Sequence, residues 1–471
     1  MSILALDLGT SSVRGLILDN AAVPQQDALA RRKVALAVDR DGAATLDPAD
    51  YLAALIDCID ELDSAGRLDG VGLVASAAQW HSVLPLDPAG APIGPLMTWL
   101  DTRPATLPGA AAPADEADFH QRTGTWWHRF YWTVRLPWLR RHCGGRPARF
   151  VGLPEYVLAG LLGHAPMSVS QASGTGMLDL VTMQWDPEAV QLATVRPGEL
   201  PELAPADWRG QLRAEFARRW PALAGVPWTP TIGDGAASNI GSGCLDPSRA
   251  AVTVGTSAAV RVVQLAAPGV PLPPLPAQLW RYRVDHTRIV TGRAYSAGGN
   301  LYSWANRELR LPQGAELNRA LDLIEPGEGV PADPRFGGDR PPGRAPAGSG
   351  ELRGLGFGTT AVDIFAGLME GVCRQVAGDL DEIESTMDGP VTEVVLGGGA
   401  LSASDWWRRA FGAALAPRQV RYMAEPEVGA TGAALVALGR FDGPGPARDI
   451  GRTDDGESAG KLPASQPLYP S

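Results

Sequence analysis

Asp7 is an acid inside the apolar run 3–8, directly before Gly9-Thr10-Ser11-Ser12, and Arg14 follows the turn at once. Burying a carboxylate without a partner costs roughly several kcal/mol, so its place in a strand argues for a task. A Gly-Thr-Ser turn gathers backbone N–H groups and hydroxyls at one point, which is the chemistry of a phosphate grip. The arrangement recurs at 251–263, Ala-Val-Thr-Val-Gly-Thr-Ser-Ala-Ala-Val-Arg-Val-Val, the same strand, turn and strand with Thr253 where Asp7 stood. One such turn is an ordinary hairpin. Two with the same flanks point to related domains whose hairpins face each other across a cleft.

Two further stretches complete a constellation. In Gly233-Asp234-Gly235-Ala236 the acid reads as a turn between a short strand and a helix of small residues, with its carboxylate free to enter the cleft. The plain structural reading is a turn former beside a glycine. The apolar strand 391–396 ends in Gly397-Gly398-Gly399-Ala400, where missing Cβ atoms let backbone approach a flat or phosphate-bearing ligand. The set suits phosphoryl transfer, which asks mainly for positioning and charge neutralisation. Asp7 would hold Mg²⁺, and Thr10, Ser11 and Arg14 would meet the transferring phosphate. Gly255 and Thr256 would hold it from the other side, with Gly298, Gly398, Gly399 and Ala400 bordering the nucleotide. Asp234 would accept the proton of the attacking hydroxyl.

These groups need scaffolding. Helical spacing over 50–62 precedes a buried strand at 71–75, followed by a loop at 76–82 and a strand pair through 83–103. The segment 123–139 is crowded with aromatics, Trp126 and Trp127 among them, and Trp127 is a candidate stacking surface for a sugar. A helix is expected over 150–162, a polar loop over 168–180, and Pro- and Gly-rich loops at 267–277 and 326–350. The segment 360–387 reads as a long core helix opened by a Thr360/Asp363 capping box.

With 471 residues the chain exceeds what one hydrophobic core usually supports, so two domains are expected. A net charge of −11 argues against broad attraction to nucleic acid or an anionic membrane. Four scattered cysteines without CxxC spacing argue against a zinc site or disulfide framework and for a reducing compartment. No apolar run approaches the ~20 residues of a membrane helix, and no leader is evident, so the cytoplasm is expected.

The motifs Asp7-Leu-Gly-Thr10, Gly233-Asp234-Gly235-Ala236, Gly255-Thr256-Ser257 and Gly397-Gly-Gly-Ala400, in this order and separation, resemble the FGGY carbohydrate kinases of the actin-like ATPase superfamily. The resemblance implies an α/β fold of two actin-like (ribonuclease H-like) domains, each a mixed sheet flanked by helices, with an interdomain cleft. The expected boundaries are 1–243, 244–445 and a polar tail at 446–471. It also implies ATP and Mg²⁺ and a small sugar or sugar-acid substrate, with no nucleic-acid or membrane partner; a homodimer is allowed for. Gln79-Trp80-His81 falls where xylulose kinases read Gln-Met-His. His81-Ser82 with Thr98-Trp99-Leu100-Asp101-Thr102-Arg103 is closer to gluconate kinases. Gln79, Trp80, His81, Asp101 and Arg103 are therefore the expected substrate set, and an aldonate carboxylate would pair bidentately with Arg103 or Arg129. Two motifs depart from the family pattern: Gly338-Asp339-Arg340-Pro341-Pro342 stands for Gly-Glu-Arg-Ser-Pro, and Leu401 replaces an arginine. The competing class is an actin- or chaperone-like ATP-switched binding protein, which would need a peptide-binding domain that this chain lacks.

Overall fold

The first hairpin pairs Ser2–Leu8 (β1) with Ser12–Leu18 (β2), antiparallel, and sets Asp7 opposite Arg14. A computed structural model of the chain describes residues 1–104, 111–340, 346–424 and 427–441. The expected tail at 446–471, and Pro341 and Pro342, lie outside the described residues. Pro24–Lys33 (β3) extends the sheet beside β2, while Val71–Ala78 (β4) and Ile232–Gly233 (β5) add parallel strands beyond β1, giving the order β5-β4-β1-β2-β3. Helix Pro48–Ser64 (α1), capped by Asp47, lays Tyr51, Leu55, Ile59 and Leu62 on this sheet.

The second sheet repeats the plan. Arg249–Val254 (β6) and Ala258–Leu265 (β7) form its central hairpin, with Trp280–Arg283 (β8) and Arg288–Tyr295 (β9) antiparallel on one side. Glu393–Gly397 (β10) and Gln419–Tyr422 (β11) run parallel on the other. The order β11-β10-β6-β7-β9 matches β5-β4-β1-β2-β3 strand for strand, with β8 as an extra edge. Both sheets are mixed and covered by helices, so their central strands are apolar along nearly their whole length.

The two hairpins differ by one residue. The first turn closes with Gly9 N–H on Ser12 O at 3.1 Å, the second with Gly255 N–H on Ser257 O at 2.9 Å. Consequently Thr253 faces Ala259, and Arg261 stands two cross-strand pairs farther from its turn than Arg14 does, opposite Ala251 and on the face it shares with Thr253.

Other elements follow the sequence with corrections. Helix Trp132–His142 (α2) rises from the aromatic segment, and helix Leu153–Leu162 (α3) covers most of the expected span, with 149–151 taken into a short strand. The segment 168–180, expected as a loop, contains helix Val169–Gly174 (α4), because Ser168 caps it by accepting from Gln171 N–H and the whole turn is buried, where backbone groups must pair within the protein. The strand pair expected through 83–103 shrinks to Leu84–Leu86 and Leu96–Met97, which pair with Arg149–Val151 and Ala44–Leu46. Helix Asn300–Glu308 (α6) and the long helix Ala361–Glu384 (α7) belong to the second core, and α7 carries the Thr360/Asp363 capping box.

One packing contact crosses the expected 243/244 boundary. The last described helix, Val428–Ala437 (α8), was expected within 244–445, yet it packs on helix Asp234–Gly241 (α5) and on the first sheet, with Ala430, Ala433 and Ala434 in the same core as Ile3, Ala5 and Ile240. The reason is shape. A Cβ on Gly432 would lie 1.8 Å from Ala237 O, and one on Gly241 would lie 1.8 Å from Val428 O, so the two backbones touch where side chains are missing. This crossing ties the end of the second half of the sequence to the element that begins with Asp234. Gly432→Ala should therefore destabilise the protein by about 1–3 kcal/mol or more in chemical denaturation, as overpacking does elsewhere, with no new exposed apolar surface to account for it.

Candidate active site

Asp234 is the first residue of α5, delivered by the two-residue strand β5. Its Oδ1 accepts the N–H of Gly235 at 2.7 Å. The carboxylate reaches solvent through the cleft but has protein on every other side. Burial therefore raises its pKa, against the attraction of Arg261 and hydrogen bonds from the Gly235 and Trp80 backbones. Asp7, at the end of β1, is pushed up to about 6 by burial, with Arg14 opposing and Asp234 and Glu427 reinforcing the shift. The structure thus brings both predicted acids to one cleft.

Arg14 bridges two carboxylates: its Nη1 lies 3.5 Å from Asp7 and 3.1 Å from Glu427. Glu427, immediately before α8, was missed in the sequence, where nothing but chain proximity to a small-residue helix could have marked it.

Trp80, expected to meet substrate, does something else. Its indole lies buried against Gly174, Gly233 and Gly235, where a Cβ on Gly233 would stand 1.8 Å from the ring, and its Nε1–H donates to Ser170 O at 3.0 Å. It is the wall behind the Asp234 turn, and the glycines beside the acid make room for it. Gln79 is fully buried with Oε1 accepting from Thr10 Oγ1 at 3.1 Å, and its Nε2 has no acceptor among the described residues. Thr10 Oγ1 in turn accepts Trp99 Nε1–H at 3.0 Å. The Thr10 hydroxyl is thus committed to holding the turn. The N–H groups of Thr10 and Ser11 make no hydrogen bond among the described residues, so the turn's backbone donors remain for a phosphate.

Asp101 and Arg103, also expected in the substrate set, satisfy each other. The Asp101 carboxylate, buried, takes Arg103 Nη2 at 2.7 Å, Arg103 Nε and N–H at 3.1 Å, and Ala44 N–H at 3.2 Å. The Arg103 guanidinium also lies 5.1 Å from the Trp138 ring. This pair fixes the loop 98–103 rather than reading a ligand. Arg135, on α2 and unmarked in the sequence except as a cation in an apolar helix, is fully buried with its nitrogens on the carbonyls of His81, Thr98, Trp99, Asp101 and Arg129. It pins the two loops together. Arg129 stays exposed, with one long contact of 3.4 Å to Thr102 O.

His81 has φ of 68°, a conformation held by Nδ1 bonded to Gly174 O and by rings of Phe130, Tyr131 and Tyr282 within 6 Å. A carbonyl only accepts, so Nδ1 carries the proton and Nε2 is an acceptor. Burial lowers the imidazole pKa to about 3, so it stays neutral at ordinary pH and suits a sugar hydroxyl. Trp126 stacks on His120 and donates to Ala277 O, and Trp127 packs beside an apolar cluster of the first half, which makes both framework residues.

On the facing side three segments meet. Gly255 O accepts Gly299 N–H at 2.7 Å, and Thr256 O accepts Asn300 N–H at 3.1 Å, leaving the Thr256 side chain exposed. Gly298 is a spacer: its N–H is spent on Asn300 Oδ1, and a Cβ there would lie 2.7 Å from Ser257 backbone. Gly298, expected beside the nucleotide, therefore has no free N–H to offer one. Gly398, with φ of 103°, sits where a Cβ would be 2.4 Å from Val254 O, whereas a Cβ on Gly399 would meet nothing within 4 Å. Gly399 and Ala400 border open space beside the second turn.

Comparison with known proteins accords with this geometry. Residues 2–241 match the FGGY family of carbohydrate kinases, N-terminal domain, and residues 250–439 match its C-terminal domain. The chain is 25% identical to a gluconokinase of Bacillus subtilis, over 86% of this chain and 81% of that protein. It is 26% identical to a xylulose kinase of Streptomyces coelicolor, over 94% and 88%. A gluconate kinase structure from Lactobacillus acidophilus superposes with a TM-score of 0.83 at 22% identity, covering 93% of this chain and 89% of that one, which shows the shared fold.

The Asp7 environment carries a stability consequence. Its pKa is higher folded than unfolded, so the folded state binds the extra proton and stability falls as pH rises from about 4 to 6. Asp7→Asn should stabilise the ligand-free protein by up to about 3 kcal/mol at pH 8 and by little at pH 4, read from urea unfolding midpoints.

Proposed function

Because the chain belongs to the FGGY family of carbohydrate kinases and is an ATP-using phosphotransferase, we propose that it phosphorylates a primary hydroxyl of gluconate or a closely similar sugar acid, with Mg²⁺. The observation that carries the mechanism is Asp234, presented to the cleft at the start of α5 with Asp7 and Arg14 beside it. Asp234 takes the proton of the attacking hydroxyl. Its raised pKa brings it nearer the operating pH, and its fixed place supplies part of the ~7–11 kcal/mol that orientation can contribute.

Asp7 is the residue that would hold Mg²⁺. Mg²⁺ is commonly bound through one or two carboxylates, water and substrate phosphates, so one acid suffices, and no cluster of three metal-binding side chains occurs among the described residues. When bound, the ion would neutralise phosphate charge. Thr10 and Ser11 N–H groups and Arg14 meet the phosphate from the first lobe, and the Gly255-Thr256 turn meets it from the second. Gly398, Gly399 and Ala400 border the nucleoside. His81 Nε2 supplies one acceptor to the sugar, and Arg129, the exposed cation of these loops with a single long contact to Thr102 O, pairs with the carboxylate.

Gluconate is favoured over a ketose by the His81-Ser82 and 98–103 motifs and by the Bacillus gluconokinase. Xylulose is the second reading, supported by the Streptomyces relative. No described helix is long and apolar enough to cross a membrane, and cytoplasmic placement belongs to this proposal.

A coupled ADP-release screen over gluconate, other aldonates, xylulose, ribulose and glycerol should give gluconate the highest kcat/KM; a ketose or glycerol turning over better than every aldonate would overturn the substrate assignment. Asp234→Asn should retain ATP binding within about threefold while kcat drops by roughly 10²–10⁴, the usual worth of a general base. Arg129→Ala should raise KM for gluconate by about tenfold or more and leave KM for xylulose unchanged, as loss of a charged hydrogen bond predicts.

A further inference from the structure

Arg261 differs from the other shielded arginines of this molecule. Arg14, Arg103, Arg135, Arg281, Arg283 and Arg293 each bond carboxylates, hydroxyls or carbonyls. Arg261 makes no hydrogen bond or ion pair to a described residue, and its Nε is fully buried. A guanidinium has five donors; the Nε–H here is shut from water without a partner, which is costly, while the half-buried side chain keeps its terminal nitrogens for a ligand.

Its placement is built. The side chain leaves β7 on the face it shares with Thr253, two residues beyond the position that pairs with Thr253. Its Cγ lies 3.1 Å from where a Cβ on Gly292 would stand, and its Nε lies 3.2 Å from where a Cβ on Gly235 would stand. Two glycines, one in each lobe, thus clear a path that carries a charge of the second lobe to the residue next to Asp234. The attraction between Arg261 and Asp234 is felt by both groups, though no contact within 4.0 Å joins them. Arg340, stacked 5.1 Å from the Trp99 ring, adds a second positive charge close to Arg261. Asp7 and Tyr51 face the same region from β1 and α1. A sugar acid presents its carboxylate at the end of the carbon chain opposite the reacting hydroxyl, so a cation beside Asp234 serves the reacting end.

We propose that Arg261 is a catalytic residue of the second lobe that donates hydrogen bonds to the phosphoryl group in transfer. The inference rests on the kinase reading above. In the step, the substrate oxygen bonds to the γ-phosphorus and its proton goes to Asp234. The bond from that phosphorus to the β–γ bridging oxygen breaks, and its electron pair leaves on ADP. Charge gathers on the equatorial oxygens during this exchange, and a fixed cation there acts as an arginine supplied within the chain. Because Arg261 and Asp234 come from different lobes, the full set assembles only when the cleft is closed, which limits transfer to water.

The test compares Arg261→Met and Arg261→Lys with wild type by calorimetric titration of Mg·ADP and of Mg·ADP with aluminium fluoride, a planar mimic of the phosphoryl group. The Met variant should bind Mg·ADP within about threefold of wild type, bind the fluoride complex roughly 100-fold less tightly, and lose roughly 10²–10³ in kcat with smaller changes in KM, the Lys variant recovering part of each. Equal binding of the fluoride complex by wild type and the Met variant, or equal loss of both ligands, overturns the proposal, the latter marking a structural role. If the Met variant does not fold, the Lys variant decides on the same ratio. A wild-type protein that neither tightens on the fluoride complex nor phosphorylates any polyol overturns the kinase reading itself, and this inference with it.

Discussion

Two acids share one cleft here, and their charge is the constraint to which the surrounding structure answers. Asp7 lies near the end of a strand inside the first sheet and Asp234 opens a helix beside it, so both carboxylates are held against protein and only partly hydrated. Their proton affinities rise accordingly, and Asp234 adds to the shift at Asp7. Cations drawn from separate parts of the chain offset this: Arg14 from the adjacent strand, Arg261 from the second sheet. The cleft therefore holds opposite charges that are near but incompletely paired. That arrangement costs stability in the free protein, the trade commonly met at functional sites.

Arginines elsewhere do the opposite work. Arg135 gathers carbonyls of the 81 and 98–103 loops, Arg103 closes on Asp101, and Arg283 ties β8 to Leu180 O and Ala266 O. Guanidinium planes with several donors suit the fastening of irregular backbone, whose carbonyls lack sheet or helix partners. The outcome is a tightly fastened pair of loops made of non-repetitive segments. His81 can then be held at positive φ with its tautomer fixed by Gly174 O.

Glycines set where the lobes touch. Gly233 and Gly235 admit the Trp80 ring, Gly241 and Gly432 let α5 and α8 meet backbone to backbone, and Gly292 with Gly235 clear the way for Arg261. Gly233 and Gly235 flank Asp234, and Gly241 with Gly432 anchors its helix. The position of Asp234 thus depends on missing side chains in both halves of the sequence.

The duplicated hairpin, the two acids, the three-glycine strand end and the capped long helix were legible in the amino-acid order, because each rests on local pattern: apolar periodicity, turn chemistry and an acid where burial forbids one without purpose. The family followed from their combination. What the order could not assign was partnership. Trp80, Asp101 and Arg103 read as ligands for a sugar, but the fold supplies them with Ser170 O, Ala44 N–H and each other, and Gly298 spends its N–H on Asn300. Glu427 and Arg261 read as nothing in particular, and the fold brings one to Arg14 and the other toward Asp234. Side-chain type states which bonds a residue can make. Only packing, which brings together positions hundreds of residues apart, decides whether those bonds are already satisfied within the protein or remain open to a substrate.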